Sequence, residues 1–377
     1  MPEISLTGQI IERLRKVFGN KVGIYHSKFS HNEQAEIWQK VRKGEYNVVI
    51  GPRSAVFLPV PDLSLIIVDE EHDTSYKQFD PAPRYQARDT AIYRGVKTGA
   101  KVMLGTATPS LESYYNAQRG KYGLVSLMER YRGMEMPEVD IVDLRDEVRK
   151  NKMKTHFSSV LLDQLVAALD KNEQVILFQN RRGFSPFVMC DECGWIPYCT
   201  NCDVSLTYHK FSNDLRCHLC GYRKSMIKEC GNCQSTALSV KGFGTEKIED
   251  EIKLLYPKAR VQRMDQDTVR TKEGHLKLIS KFEQGEIDIL VGTQMVTKGL
   301  DFDNVSLIGV LSADQLLNYP DFRANERAFQ LMAQVSGRSG RKYRKGKVII
   351  QAYSSDHPVL MDVKNHDMQT FYEKGRG

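Results

Sequence analysis

CDECGWIPYCTNCDVSLTYHKFSNDLRCHLCGYRKSMIKECGNC, residues 190–233, holds all eight of the chain's cysteines as four C-x-x-C pairs. Thiols at this density are what tetrahedral Zn²⁺ requires, and four sulfurs per ion leave no open position for catalysis. Disulfides are the alternative. The opening residues MPEISLTGQ, however, lack the basic and apolar regions of a secretory leader, and a reducing compartment keeps thiols free. The pairs Cys190/Cys193, Cys199/Cys202, Cys217/Cys220 and Cys230/Cys233 can share two metals sequentially, crossed or nested. Between Cys202 and Cys217, DVSLTYHKFSNDLR has two β-rich halves around Ser212-Asn213-Asp214. A hairpin there brings Cys199, Cys202, Cys217 and Cys220 onto one zinc. Nesting leaves Cys190, Cys193, Cys230 and Cys233 for a second zinc at the base of the insertion. Gly194, Gly221 and Gly231 suit the tight knuckle turns. His209 and His218 are expected at the ribbon surface, because eight thiolates already close both shells.

Outside this module the chain reads as α/β. Short apolar runs alternate with helical patterns: VGIYH at 22, NVVIGPRSAVF at 47, LSLIIVDEEH at 63 and KVMLGTATPS at 101. Such runs predict parallel strands covered on both faces. A charged, aperiodic stretch, residues 131–155, reads as a connector. Alternation then resumes with SSVLLDQLVAALD, QVILFQNRRGF, ARVQRMDQDT, IDILVGTQM, VSLIGVLSADQ and KVIIQAY. The expected domains are a first α/β unit over 1–130 and a second over 156–186 and 237–358. The cysteine module, 187–236, interrupts the second, and 359–377 begins a further domain. At 377 residues the chain is too long for one ordinary core. No apolar run is long enough to span a bilayer, so the expected setting is the cytoplasm. Lys and Arg exceed Asp and Glu by 54 to 47, a mild basic excess that suits a polyanionic partner without requiring one.

Several strand ends carry chemistry. LSLIIVDEEH ends in Asp69, Glu70, Glu71 and His72, placing acids at the carboxyl end of a parallel strand, where α/β sheets bind ligands. Asp69 suits Mg²⁺, and Glu70 suits a water that attacks a γ-phosphate. Thr106, Thr108 and Ser110 on the following strand's loop suit a relay from those acids. In VGTQMVTKGLDF a polar turn leads to Asp301, and QLMAQVSGRSGR places Gln334, Arg338 and Arg341 near one helix end, a spacing that can reach a phosphate. Tyr76, Phe79 and Tyr85 interleave with Lys77, Arg84 and Arg88, which offers stacking faces beside phosphate contacts.

Together and in order, PEISLT, GPRSA, VDEEH, GTATP, GTQMVTKGLDF and QVSGRSGR resemble the motifs of superfamily 2 helicases. SYKQFDPAPRYQARD, NRRGF, the eight-cysteine insertion, GFGTEKIED and RMDQDT narrow the resemblance to the primosomal replication-restart helicases of the PriA family. This implies two RecA-like lobes, the first incomplete, with a two-zinc ribbon module inserted in the second. It implies Asp69 and Glu70 as the Mg²⁺ and water-activating pair, and Arg338 and Arg341 as phosphate-sensing arginines, with Arg341 as the finger. Gly299, Asp301 and Gln334 are then nucleotide-coupling residues. Arg53, Tyr76, Lys77, Phe79, Arg84, Tyr85 and Arg88 become DNA contacts on an aromatic-rich loop. The implied activity is ATP-dependent 3′ to 5′ DNA unwinding by a monomer at stalled forks. Its implied partners are forked and single-stranded DNA, primosome proteins and single-strand binding protein, with no membrane, and its setting is the nucleoid. The zinc module, hung off the second lobe, is expected to act as a strand-separating wedge or a docking surface.

The chain departs from that pattern in three ways. No G-x-x-x-x-G-K-[ST] run occurs, Pro52 stands in GPRSA where the family shows Thr, and the chain ends within a helix-like MQTFYEKGRG. The resemblance therefore implies a fragment without the amino-terminal DNA-binding domain, the phosphate-binding loop and most of the carboxyl-terminal domain, inactive in ATP hydrolysis by itself. Its first lobe is expected to be unstable, with a sheet edge exposed. A non-enzymatic reading, a zinc-stabilised DNA- or partner-binding module with a vestigial motor, draws on the missing loop. The retained Asp69, Glu70, Arg338 and Arg341 oppose it. An RNA-directed helicase of the same superfamily is disfavoured by the cysteine insertion.

Overall fold

The computed structural model describes residues 7–26, 29–127, 135–179, 186–202, 204–242, 244–265, 268, 272–296, 302–339 and 346–374. The chain divides into two compact units, 1–124 and 125–377.

In unit 1, α1 (Thr7–Phe18), β1 (Val22–Ile24), α2 (His31–Arg42), β2 (Val48–Ile50), β3 (Leu65–Asp69), α3 (Ala87–Thr98), β4 (Lys101–Gly105) and α4 (Leu111–Gln118) follow one another. Local signals set the helix ends. Ser30 and Glu33 form a reciprocal capping box at the start of α2, and α3 stops at Gly99, whose φ of 73° is left-handed. Among the described residues the strands form two separate parallel pairs, β1 with β2 and β3 with β4. One face of the β3–β4 pair packs Ile66, Val68 and Leu104 against Tyr76, Ala87 and Ala91. The other face is open, with Ile67 59% and Met103 57% exposed on paired positions.

In unit 2, β5 (Glu138–Asp143), α5 (Leu144–Arg149), α6 (Ser159–Asp170) and β6 (Gln174–Phe178) lead to the cysteine module. The module contains β7 (Phe187–Cys190), β8 (Thr207–His209), β9 (Asp214–Arg216), β10 (Arg223–Ser225) and β11 (Leu238–Lys241). Then come α7 (Thr245–Leu255), β12 (Val261–Met264), α8 (Lys272–Glu283), β13 (Ile289–Gly292), β14 (Val305–Val310), α9 (Asp314–Leu317), α10 (Ala324–Ser336), β15 (Lys347–Ala352), α11 (Pro358–Lys364) and α12 (Met368–Lys374). Six strands form one sheet in the order β12-β13-β6-β14-β15-β5, every pair parallel. Its central strands are buried along their length, as uninterrupted runs such as QVILF require.

α6 buries Leu161, Leu162, Leu165 and Ala168 at helical spacing. Gly309 of β14 permits that approach, since a Cβ there would lie 2.9 Å from both Leu161 and Leu177. Inside the core, the Gln351 side chain donates to His156 O and Leu311 O and accepts from Ser158 N, tying the start of α6 to β15 without leaving a polar atom unpaired.

Two stretches bear on the expected boundaries. Residues 131–155 are not merely a connector, because Glu138–Asp143 pairs with β15 as the sheet's edge strand. Its charges disguise it: Val139 and Val142 are buried, while Glu138 is exposed and Asp140 and Asp143 are half-buried, as an edge strand tolerates. Residues 359–377, expected to open a further domain, pack on α10 as far as they are described. There the Phe371 ring stacks on Phe329 at 4.2 Å, and Tyr372 is buried.

Candidate functional site: an acidic strand end and two cysteine cages

β3 delivers Asp69 to its carboxyl end, and the chain then turns sharply, Glu70 taking a left-handed φ of 49°. That turn sends the three acids different ways. Glu71 points inward, with its N–H on Gly105 O at 3.1 Å. Its buried carboxylate accepts from Ser110 N (2.6 Å), Ser110 Oγ (3.0 Å), Ser113 Oγ (2.8 Å) and Arg88 Nη1 (3.0 Å). So many donors commit Glu71 to holding the loop after β4. Asp69 and Glu70 remain partly exposed. His72 links the acids to that same loop: its Nδ1 lies 2.8 Å from Thr106 Oγ1 and 3.7 Å from Glu70, and Thr106 Oγ1 accepts from Thr108 N. Thr106 and Ser110 are thus hydrogen-bonded to the acidic turn, through His72 and Glu71.

Two of the expected DNA contacts face the interior. Tyr76 is buried, its hydroxyl donating to Asp69 O at 2.6 Å, and burial followed by the Asp69 charge raises its pKa. Arg88 is buried on Glu71, Ser110 and Asp89. Neither offers a surface to a nucleic acid; both build the acidic turn. The remaining residues stay at or near the surface. The loop folds into a hairpin through Gln78 N to Tyr85 O, leaving Phe79 and Arg84 exposed and Lys77 and Tyr85 half-buried. Tyr85 meets Phe57 edge-on at 4.8 Å, and Arg53 Nη1 donates to Lys77 O at 3.2 Å, tying the segment after β2 to this loop.

In unit 2, Gln334 lies in the last turn of α10 and Arg338 just beyond it. Gly337 N bonds Ala333 O and Arg338 N bonds Val335 O, so the chain leaves α10 through a tightened last turn. Arg341, Gly299 and Asp301 lie outside the described residues. GFGTEKIED and RMDQDT meet where Thr245 Oγ1 donates to the buried Asp265 at 2.5 Å.

The cysteines form two nested cages, Cys190, Cys193, Cys230 and Cys233 in one, and Cys199, Cys202, Cys217 and Cys220 in the other. In each, all four sulfurs lie within 4.8 Å of one another. Contacts of 3.5 Å (Cys193 to Cys230, Cys199 to Cys220) and 3.6 Å (Cys190 to Cys233) are far too long for disulfides. They approach the ~3.8 Å sulfur spacing implied by tetrahedral bonds of about 2.3 Å to zinc.

Each C-x-x-C is built alike. The first cysteine's N–H bonds the carbonyl five residues on: Cys190 to Trp195, Cys199 to Val204, Cys217 to Tyr222 and Cys230 to Ser235. Backbone amides also reach sulfur, Asn201 N to Cys199 and Asn232 N to Cys230, both at 3.4 Å. Crowding divides the thiols. Cys220 is held down to about 6, chiefly by the Tyr222 N–H, while the Cys220 thiol heads the causes that push Cys202 up to about 12. A cage so divided suits a cation that draws all four sulfurs into the thiolate form.

Gly194 and Gly221 take left-handed φ values of 76° and 77° after the second cysteine of their knuckles. Gly231 has another role, since a Cβ there would lie 2.6 Å from the Trp195 ring. The module leaves and rejoins unit 2 through the antiparallel β7–β11 pair, which puts the outer cage at its base. A half-buried clamp, absent from the sequence reading, fixes that base: Lys241 Nζ pairs with Asp191 at 2.5 Å, donates to Tyr353 Oη at 3.0 Å and lies 4.4 Å from the Tyr353 ring centre.

Three family models match the chain: DEAD/DEAH box helicase over residues 1–117, PriA DNA helicase Cys-rich region (CRR) domain over 199–224, and Helicase conserved C-terminal domain over 233–343. Replication restart protein PriA of Bacillus subtilis (strain 168) is 48% identical over 373 residues, covering 99% of this chain and 46% of the relative. The Synechocystis protein of the same name is 44% identical over 379 residues, covering 98% and 46%, and that of Haemophilus influenzae 42% over 374, covering 98% and 50%. The chain thus spans about half the length of the curated relatives it matches. RecG bound to a three-way DNA junction superposes with a TM-score of 0.52 at 14% identity, over 99% of this chain and 38% of that one. S. cerevisiae Dbp5 bound to RNA and ADP BeF3 gives 0.50 at 13%, over 98% and 73%. At those identities the likeness shows the fold, two RecA-like lobes.

Proposed function

Because the chain belongs, over the half of their length that it spans, to the family of the replication restart protein PriA, we propose that it forms motor lobes and zinc module of an ATP-dependent DNA helicase of replication restart. The observation that carries this reading is the acidic turn after β3, where Glu71 is locked inward and Asp69 and Glu70 are left partly exposed. In the full-length parent, ATP would supply the phosphoryl group whose transfer to water drives movement, Asp69 would hold the accompanying Mg²⁺ and Glu70 would orient the attacking water. Arg338 and Arg341 meet the charge that builds on the phosphoryl oxygens, and Gln334, Gly299 and Asp301 couple that event to DNA. Phe79, Arg84, Lys77, Tyr85 and Arg53 contact the strand, along which movement runs 3′ to 5′. Two zinc ions brace the module, one in each cage. Forked DNA, primosome proteins and single-strand binding protein are the proposed partners of a monomeric, nucleoid-associated cytoplasmic protein.

These 377 residues contain no G-x-x-x-x-G-K-[ST] run, so no loop amides and lysine cradle the β- and γ-phosphates. The chain by itself is expected to bind forked DNA with an affinity that falls steeply with salt, and to leave ATP intact. Radiolabelled-ATP turnover and fluorescence anisotropy on the purified chain test both points. DNA-stimulated hydrolysis would overturn the proposed inactivity. Failure to bind DNA at low salt would overturn the motor reading. Metal analysis is expected to give two zincs per chain.

A further inference from the structure

The inner cage is fastened to the host sheet by side chains that are not its ligands. Tyr198 and Ser205 flank its first knuckle and pair with each other as an isolated antiparallel bridge, beside the Leu206 N to Pro197 O bond. Both reach the same residue of the host fold. Tyr198 Oη donates to Asn318 Oδ1 at 2.9 Å, and the buried Ser205 Oγ donates to Asn318 O at 2.5 Å. Asn318 caps the end of α9, where its own N–H and its Nδ2 both donate to Asp314 O at 2.9 Å.

The base of the module reaches the same short helix. Phe187, Met189 and Ile196 pack with Tyr353, the residue that Lys241 clamps. Tyr353 N and Ser354 N donate to the Asp314 carboxylate at 2.8 and 3.0 Å, and Asp314 is 1% exposed. One buried aspartate therefore receives both attachments, the base through its carboxylate and the ribbon through its carbonyl. α9 has only four residues, too few to persist as a helix by themselves, so its position is set by what it touches. The turn after it runs on into α10: Asp321 O accepts from Ala324 N, and its carboxylate accepts from Arg323 N and Arg327 Nη1 at 2.8 and 2.7 Å.

The Asn318 bonds exist only while Tyr198 and Ser205 keep the spacing that the knuckle gives them. Val204, Leu206 and Leu215 share the ribbon's core with Cys199 and Cys217, and a core this small does not hold its shape without the metal. We propose that Asn318 links metal occupancy of the inner cage to the order of the turn between α9 and α10. With four cysteines closed on zinc, Tyr198 and Ser205 hold Asn318 and fix α9; with the cage open they release it. Coupling is reciprocal, so Asn318, although no ligand, must in turn slow the loss of metal from that cage. The link rests on zinc filling the cage. It needs neither ATP nor DNA, so it stands apart from the motor reading.

The test uses the full chain with its zinc. A chelator is added, freed thiols are alkylated with N-ethylmaleimide and mapped by mass spectrometry, which separates inner from outer cysteines, and hydrogen exchange is followed in the same samples. Alkylation of the inner cysteines should bring about fivefold or faster exchange at residues 316–324, with β14 and β15 at parental rates. Asn318→Ala should expose the inner thiols to alkylation about fivefold faster and leave the outer ones unchanged. Ser205→Ala, made from the module's side of the same contact, should act in the same direction. Parental exchange at 316–324 once the inner cysteines are alkylated would overturn the proposal. So would parental release of the inner metal in both variants, or an acceleration spread equally over β14 and β15. A purified chain without zinc would instead overturn the two-zinc reading on which the link rests.

Discussion

β6 of unit 2 and β3 of unit 1 are written in the same alphabet, QVILF and LIIVD, yet β6 is buried at every position while β3 hides one face and bares the other. An apolar run therefore announces a parallel strand without saying how many of its faces are covered. The two units also stabilise their strands differently. Unit 2 relies on apolar packing around a six-stranded sheet, with cysteine cages beyond it. Unit 1 has a smaller core and ties β3 to the loop after β4 with a buried charge, Glu71 on Arg88, Ser110 and Ser113.

The sharpest way to break this comparison is to remove the cation. Arg88→Met leaves the Glu71 carboxylate buried without its counter-charge, which typically costs about 3–5 kcal/mol. Hydrogen exchange should then accelerate in β3 and β4 and leave β6 and β14 unchanged. Equal acceleration in both units would mean that they do not unfold separately.

The converse test lies in the covered sheet. Leu177→Ala, at a fully buried position, should cost roughly 2–5 kcal/mol in urea unfolding of unit 2. Ile67→Ala on the open face of β3 should cost less than about 0.5 kcal/mol. A large loss at Ile67 would show that its face is covered in solution.

A smaller effect separates the units by pH. Asp143, at the end of edge strand β5, is opposed by burial, but hydrogen bonds from Arg145 and Ser355 outweigh it and hold its pKa below the ordinary aspartate value. A carboxylate depressed in the folded state contributes stability that is complete above the unfolded pKa and is lost as pH falls through the folded one. Asp143→Asn should remove that acid-sensitive part, about 0.5–1 kcal/mol once solvent screening is allowed for. The variant's deficit in urea titrations should be plain at neutral pH and fade below about pH 4. A deficit independent of pH would assign the loss to packing.

Much of this was legible beforehand because period and spacing are one-dimensional signals. Apolar runs located the strands of both lobes, and the fourteen residues between Cys202 and Cys217 selected nesting over crossed ligation. What stayed hidden depends on which way a side chain points. Tyr76 and Arg88 belong to a segment that reads like a DNA-binding loop, and only their contacts with Asp69, Glu71 and Ser110 show that they face inward. Likewise EVDIVD looks like a charged linker until β15 supplies a partner.

The knuckles allow the finest comparison. Gly194 and Gly221 take the left-handed position after their second cysteine, whereas the outer cage's other knuckle places Gln234 there, at φ 61°. A side chain in that region costs about 1–2 kcal/mol, part of which glycine returns by its greater freedom in the unfolded chain. Gln234 is exposed, and its N–H bond to Cys230 O survives any substitution that keeps the backbone. Gln234→Gly should therefore stabilise the outer cage by about 0.5–1 kcal/mol and slow zinc loss to a chelator. Gly221→Ala provides the reciprocal measurement on the inner cage: a Cβ there meets nothing within 4 Å, so any loss reports backbone strain alone. Unchanged zinc release in both variants would show that the knuckle backbone relaxes once the metal is bound, and that the glycines serve something other than the turn.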